Sequence, residues 1–188
     1  MAWLVPRIAE CLASGGRILE LGSGSGRDAA ALLASGFDVV ATDGSEAMLA
    51  EAARLHPQLS GRLARAVLPG PLPFPTATFD GVLAMAVLMH LPASELPAAF
   101  AEIARVLKPA SVLYFTVSAA RPGLDAAGRD QHGRLFTALS ESQWRQLAEQ
   151  TGFEVQPEAA RRADSLARSD VQWWSFLGRK RGGRGEGR

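Results

Sequence analysis

Residues 17–26 limit the possible folds of this chain more than any other stretch. Residues 17–22 (Arg17-Ile18-Leu19-Glu20-Leu21-Gly22) read as a short buried strand, and Gly22-Ser23-Gly24-Ser25-Gly26 form a turn in which glycine alternates with serine. An alanine-rich helix follows and is ended by Gly36. Glycines at such a turn let a ligand approach the backbone where a Cβ would collide, and they allow positive φ. Taken alone, they also fit a flexible strand-to-helix turn that binds nothing.

The alternation continues along the chain. Residues 37–42 predict a second strand, and Ser45 caps a helix that reaches about Leu55 before Pro57. Residues 62–67 alternate weakly as a third strand, and a proline-rich turn at 69–75 leads to the apolar run 79–87, suited to a strand covered on both faces. Ser94 is placed to cap the next helix, with Pro97 in its first turn and Lys108-Pro109 at its end, before a strand at 111–118. Strands alternating with helices imply right-handed crossovers and a mostly parallel sheet. Late in the chain, Ser140 and Gln143 form a capping box for a helix that Gly152 ends. Residues 153–157 and 171–177 then read as two strands of an edge hairpin, joined by an exposed polar stretch at 158–170. The long loop 119–138 is a candidate lid.

A length of 188 residues, 47% hydrophobic and 21% charged, suits one domain. We place it at 1–178, with an N-terminal helix in 1–16 and a disordered basic tail at 179–188. That tail holds five basic residues and one acidic, so the body keeps 15 basic and 18 acidic residues, net −3. A slightly acidic body lacks the basic footprint of a nucleic-acid-binding surface. The single cysteine, Cys11, excludes an intrachain disulfide and a cysteine metal cluster. No signal peptide is expected, because the N-terminus lacks a basic region and carries Glu10 in its apolar stretch. The longest apolar run, Gly81 to Met89, is about half the length of a membrane span. A soluble, cytoplasmic protein without membrane contact is the expectation.

Asp43 closes the second strand, 17 residues after Gly26. In an open parallel sheet the carboxyl ends of neighbouring strands share one crevice, where a carboxylate can bond both hydroxyls of a ribose. A helix-capping or turn aspartate is the plainer alternative. Nicotinamide dinucleotides and S-adenosylmethionine both carry that ribose. Counting from Gly22 puts Arg27 at the third glycine of a dinucleotide fingerprint, although Gly24, Gly26 and Ala29 satisfy its looser form. Glu20, just before the turn, would repel a pyrophosphate and attract an ammonium or sulfonium group.

With these residues in view, the chain resembles the class I S-adenosylmethionine-dependent methyltransferases over about residues 15–156. The resemblance implies a Rossmann-like α/β fold: a seven-stranded, mostly parallel sheet with helices on both faces and a C-terminal antiparallel hairpin. It implies that Glu20, Gly22, Ser23, Gly24 and Gly26 surround the amino-acid end of the cofactor, that Asp43 holds the ribose, and that Gly44, Ser45 and Met48 flank the adenine. Leu72-Pro73-Phe74, Phe79-Asp80-Gly81-Val82, Leu88-Met89-His90-Leu91-Pro92 and Val106-Leu107-Lys108-Pro109 match further family segments, with Ala84 and Met85 beside the methionine moiety. Two positions depart from the pattern. Ala110-Ser111 stand where the family has two glycines, and no acidic residue follows the third strand, leaving the backbone at Ala66 and Val67 to meet the adenine. Gly133-Arg134-Leu135-Phe136 and Gly152-Phe153 resemble a bacterial subgroup of small methyltransferases.

Methyl transfer from a sulfonium is an in-line displacement that mainly needs alignment in a desolvated pocket. Where the acceptor must lose a proton, His90 is the candidate base; a packing or capping histidine is the alternative. His132 in the candidate lid either meets substrate or is solvated, and His56 reads as a turn residue. Three scattered histidines give no metal site. The glycine run lacks both the nucleophile elbow of a serine hydrolase and the Gly-Lys-Ser/Thr of a P-loop. The expected function is a methyltransferase using S-adenosylmethionine on a small-molecule acceptor, with nucleic acid not an expected partner and the oligomeric state open. A nicotinamide-dependent oxidoreductase and a non-catalytic cofactor-binding module are the alternatives.

Overall fold

The computed structural model describes residues 3–119, 121–157 and 173–182. β1 (Arg17–Leu21) pairs in parallel with β2 (Asp38–Asp43) on one side and β4 (Phe79–Met85) on the other. β3 (Leu63–Arg65) extends the sheet beyond β2, and β5 (Leu107–Ser118) extends it beyond β4, both in parallel. β7 (Trp173–Lys180) and β6 (Phe153–Pro157) complete the far edge in antiparallel pairing. The order is β3-β2-β1-β4-β5-β7-β6. Chain progression reverses between β1 and β4, and this switch opens a crevice at the carboxyl ends of those strands.

Strand alternation divides the core into two layers. On one face, α1 (Leu4–Ala9) and α2 (Arg27–Ala34) bury Leu4, Ile8, Ala29 and Leu32 against Ile18, Val39 and Tyr114. On the other, α4 (Leu96–Val106) and α5 (Glu141–Gln150) bury Phe100, Ile103 and Trp144 against Leu19, Val82 and Phe115. Phe115 stacks on Phe176 of β7 at 4.7 Å, tying the antiparallel edge to the parallel centre. Burying each such ring contributes about 1.5–3 kcal/mol. α3 (Glu46–Leu55) lies along β2 and β3 and buries Ala52. The expected fold class therefore holds, including the terminal antiparallel pair.

Local capping follows the sequence in two places and departs from it in one. Ser45 accepts from the Met48 amide, and Ser140 with Gln143 forms a complete capping box. α4 instead starts after Glu95 without a side-chain cap, so the expected cap at Ser94 is corrected.

The chain ends also differ from expectation. The expected N-terminal helix of 1–16 is only Leu4–Ala9, because Gly16 turns back on the Ala13 carbonyl and Gly15 bonds the Gly36 carbonyl. At the other end, Arg179 and Lys180 belong to β7 rather than to a tail. Their side chains donate to the Ala110 carbonyl (2.8 Å) and the Leu107 carbonyl (2.7 Å), which gives these two cations a structural use. The expected exposed stretch 158–170 and the tail from 183 onward lie outside the described residues. No helix among the described residues is long and apolar enough to cross a membrane.

Candidate active site

The three glycines of the first turn all have positive φ but serve different purposes. A Cβ on Gly22 would lie 2.3 Å from a Val87 methyl, so its absence lets the segment after β4 close against β1. A Cβ on Gly26 would lie 2.8 Å from Leu59 and 3.0 Å from Ala52, so Gly26 serves helix packing rather than ligand approach. Gly24 has nothing within 4 Å of its would-be Cβ and faces the crevice. Its amide donates to Asp43 Oδ2 (2.9 Å), while Asp43 Oδ1 accepts from the Ser45 amide (2.8 Å). The two elements of the switch point are thus joined through one carboxylate, which retains acceptor capacity for a ligand hydroxyl.

A cavity of about 480 Å³ runs from this carboxylate in two directions. At one end Gly44, Met48, Ala66, Val67 and Leu68 form its wall. Met48 and Val67 are 40% and 53% exposed, unusual for large apolar side chains and suited to the faces of a flat heterocycle. At the other end the wall is Ala86, Val87, His90, Leu91 and Arg134. Ala86 holds φ at +58°, with its amide bonded to the Thr116 carbonyl and hydroxyl. That left-handed turn carries the chain from β4 into the 3-10 turn Leu88–His90.

Beneath the glycine turn, Glu20 is 2% exposed and its Oε2 has no hydrogen-bond partner among the described residues; nor has the buried Ser23 Oγ. Burial, reinforced by Asp28 and Asp43, pushes the Glu20 carboxyl from 4.5 up to about 8, against the lowering effects of an Ala29 amide bond and Arg27.

His90 is fixed by the segment 121–138. Its Nδ1 lies 2.7 Å from the Leu135 carbonyl, so Nδ1 carries the proton and Nε2 is left as the acceptor nitrogen. Phe136 packs edge-on against the imidazole at 4.6 Å. Thr137 donates its amide to the Met89 carbonyl and its hydroxyl to the Leu91 carbonyl. Burial lowers the His90 pKa; Arg134 and Arg121 add to this, and the Leu135 bond and Asp130 oppose it. His132 is exposed beside Gln131, away from the cavity wall.

Residues 18–110 match the family model described as a methyltransferase domain. The chain belongs to the class I S-adenosylmethionine-dependent methyltransferases. Among solved structures, this methyltransferase shares its fold with an S-adenosylmethionine-dependent methyltransferase from Methanosarcina mazei. The TM-score is 0.78 at 19% identity, covering 94% of this chain and 97% of that one. A 1,6-didemethyltoxoflavin-N1-methyltransferase from Burkholderia thailandensis, solved with 1,6-didemethyltoxoflavin and S-adenosylhomocysteine, gives 0.73 at 24% identity, with coverage of 96% and 76%. The (4+2)-cyclase SpnF gives 0.75 at 24% identity, with coverage of 96% and 81%. No curated protein matches the chain. Membership of this family sets aside the nicotinamide oxidoreductase alternative.

The methyltransferase's own residues fit S-adenosylmethionine, the cofactor of the family. The open space at Gly24, Asp43 and the exposed Met48 and Val67 side chains supply what its amino-acid, ribosyl and adenine parts require, and the orphaned Glu20 and Ser23 oxygens put unsatisfied acceptors directly beneath that turn. The structure gives several of the expected residues capping, packing or buried positions. Ser45 caps α3, Gly26 packs helices, and Glu20 and Ser23 lie under the turn rather than in the wall. Ala84 is fully buried in the core and Met85 packs on the opposite layer, so Ala86 and Val87 replace them at the cavity. Arg134, Leu68 and Leu91 also reach the cavity; Arg134 and Leu91 lay in segments that resemble the family, whereas Leu68 had no sequence signal as a site residue.

Proposed function

We propose that this methyltransferase acts on a small-molecule acceptor bound at the His90 end of the cavity, with His90 receiving the acceptor's proton. The observation that carries the reading is the His90–Leu135 hydrogen bond, which puts the proton on Nδ1 and leaves Nε2 as the basic nitrogen, while burial favours the neutral ring. Bound S-adenosylmethionine supplies a methyl group activated by its positive sulfur. The glycine turn and Asp43 hold the donor, Val87 and Leu91 exclude water, and His90 Nε2 takes a proton from the attacking hydroxyl, or from an ammonium beforehand to free the amine that attacks. The folded segment 121–138 acts as the wall, or lid, of the acceptor side. We place all of these parts in a single domain whose partner is the acceptor rather than nucleic acid.

Support for a small acceptor comes from the modest cavity volume, the net −3 body and the names of fold neighbours that act on 1,6-didemethyltoxoflavin or, putatively named, on sarcosine and dimethylglycine. The test is a panel of small hydroxyl, amine and thiol acceptors, with S-adenosylhomocysteine formation as the readout, for the native chain and Asp43→Ala. Turnover that Asp43→Ala removes is expected. Methylation of RNA or protein with no small acceptor turned over would overturn the small-molecule reading. Transformation of a substrate without S-adenosylhomocysteine formation would point to the kind of other chemistry that the same fold hosts in SpnF.

A further inference from the structure

Arg134 is half exposed, lines the cavity beside His90, and spends Nε and Nη2 on one oxygen of Asp130, at 2.9 and 2.6 Å. Its Nη1 makes no hydrogen bond to any described residue. Arg121 places its guanidinium 4.6 Å above the Phe136 ring, the ring that packs on His90, and forms no ion pair with a described carboxylate. Arg134 is 5.6 Å from that same ring. Arg134 is thus paired by Asp130 whereas Arg121 meets no described carboxylate, which leaves one uncompensated positive charge beside Phe136 and His90, next to Val87 and Leu91 of the cavity wall.

Resting on the small-molecule reading above, we infer that the acceptor carries a carboxylate, received by Arg134 Nη1 with the Arg121 charge behind it. A planar guanidinium with a free donor pair suits a carboxylate, and one uncompensated charge suits a monoanion better than a phosphate dianion. The arrangement also accounts for the use of Asp130. Its two-point pairing fixes the Arg134 fork in the wall, while backbone amides of His132 and Arg134 hold Asp130 itself. Anchoring the carboxylate there leaves the acceptor's nucleophile free to face His90 and the donor. On transfer, a nucleophile–carbon bond forms as the carbon–sulfur bond breaks, the bonding pair stays on sulfur, and the nucleophile's proton passes to His90 Nε2.

The test is calorimetric titration of the full chain, saturated with S-adenosylhomocysteine, using benzoate, benzamide and phenyl phosphate as probes. Saturation keeps the cofactor's own carboxylate from confusing the result. Benzoate should bind and benzamide should not, and benzoate affinity should fall about tenfold in Arg134→Gln and in Arg121→Gln, with Arg134→Lys intermediate. Arg121→Gln does not touch the Asp130 pair, so it remains informative if Arg134→Gln disturbs the loop. Equal binding of benzamide, benzoate binding unaffected by both variants, no benzoate binding, or a preference for phenyl phosphate would each overturn the inference. So would an Arg134→Gln variant that weakens S-adenosylhomocysteine instead of benzoate. Turnover confined to neutral acceptors would sink the carboxylate and leave the methyltransferase reading standing, whereas failure to bind S-adenosylhomocysteine would remove both.

Discussion

Glu20→Gln probes the buried carboxyl beneath the cofactor turn. The folded chain keeps the Glu20 proton up to about pH 8, whereas an ordinary glutamate releases it near 4.5. Between those values the folded state binds more protons than the unfolded state. This contribution is therefore fully present below pH 4.5, declines as pH rises to about 8, and is then constant. At about 1.4 kcal/mol per pH unit, the window amounts to at most about 5 kcal/mol. That is a large share of a typical total of about 5–15 kcal/mol. Glutamine keeps the shape and removes the titration. Urea midpoints at about pH 6, 7, 8 and 9 should show a decline in the native chain that the variant lacks, with the gap widening until about pH 8. A cationic ligand seated on the glycine turn above Glu20 acts through the turn to favour the carboxylate, so S-adenosylmethionine binding near neutrality should release a proton. Calorimetry in buffers of different ionisation heat would detect that release in the native chain and not in Glu20→Gln. Parallel pH slopes for both chains, together with no proton release, would refute the account.

The glycine turn gives a paired prediction. Gly26→Ala should cost about 2–4 kcal/mol in denaturant melts, because its Cβ strikes Leu59 and Ala52 at positive φ. Gly24→Ala should cost only about 1 kcal/mol while sharply weakening S-adenosylhomocysteine, since its Cβ enters the space kept for ligand. Ala110 stands at φ +61° where the family has glycine, so Ala110→Gly should raise stability by about 1 kcal/mol in a thermal melt. With burial holding His90 below its usual range, kcat/KM should rise with pH through an acid limb below 6.5 and plateau near neutrality; His90→Asn should lose that limb.

What the sequence revealed and what it hid divide along the range of the interactions. The caps at Ser45 and Ser140 were legible because each is a bond between residues three apart. The strands β1, β4 and β5 were legible because burial on both faces needs nearly continuous apolar runs. The glycine turn was legible as a unit, but its division of labour was not: Gly22 answers to Val87, and Gly26 to Leu59 and Ala52, contacts that exist only after the sheet and helices assemble. Ala86 and Ala110 adopt left-handed backbone with a residue that gives no turn signal. At Ala86 the tertiary bonds to Thr116 offset the strain, and the turn they hold moves the cavity wall from Ala84 and Met85 to Ala86 and Val87. A displacement of two residues at a strand end, trivial for the fold, thus decides which side chains line the cavity. Arg134 is the longest-range case. It reaches the cavity because Leu135, Phe136 and Thr137 dock on the Met89–Leu91 turn, so its place depends on a loop-to-turn match spread over more than forty residues. Strand ends bring residues far apart in the chain to one crevice, whereas a loop with few local constraints supplies Arg134 to the cavity wall, and residues there can change without disturbing the sheet.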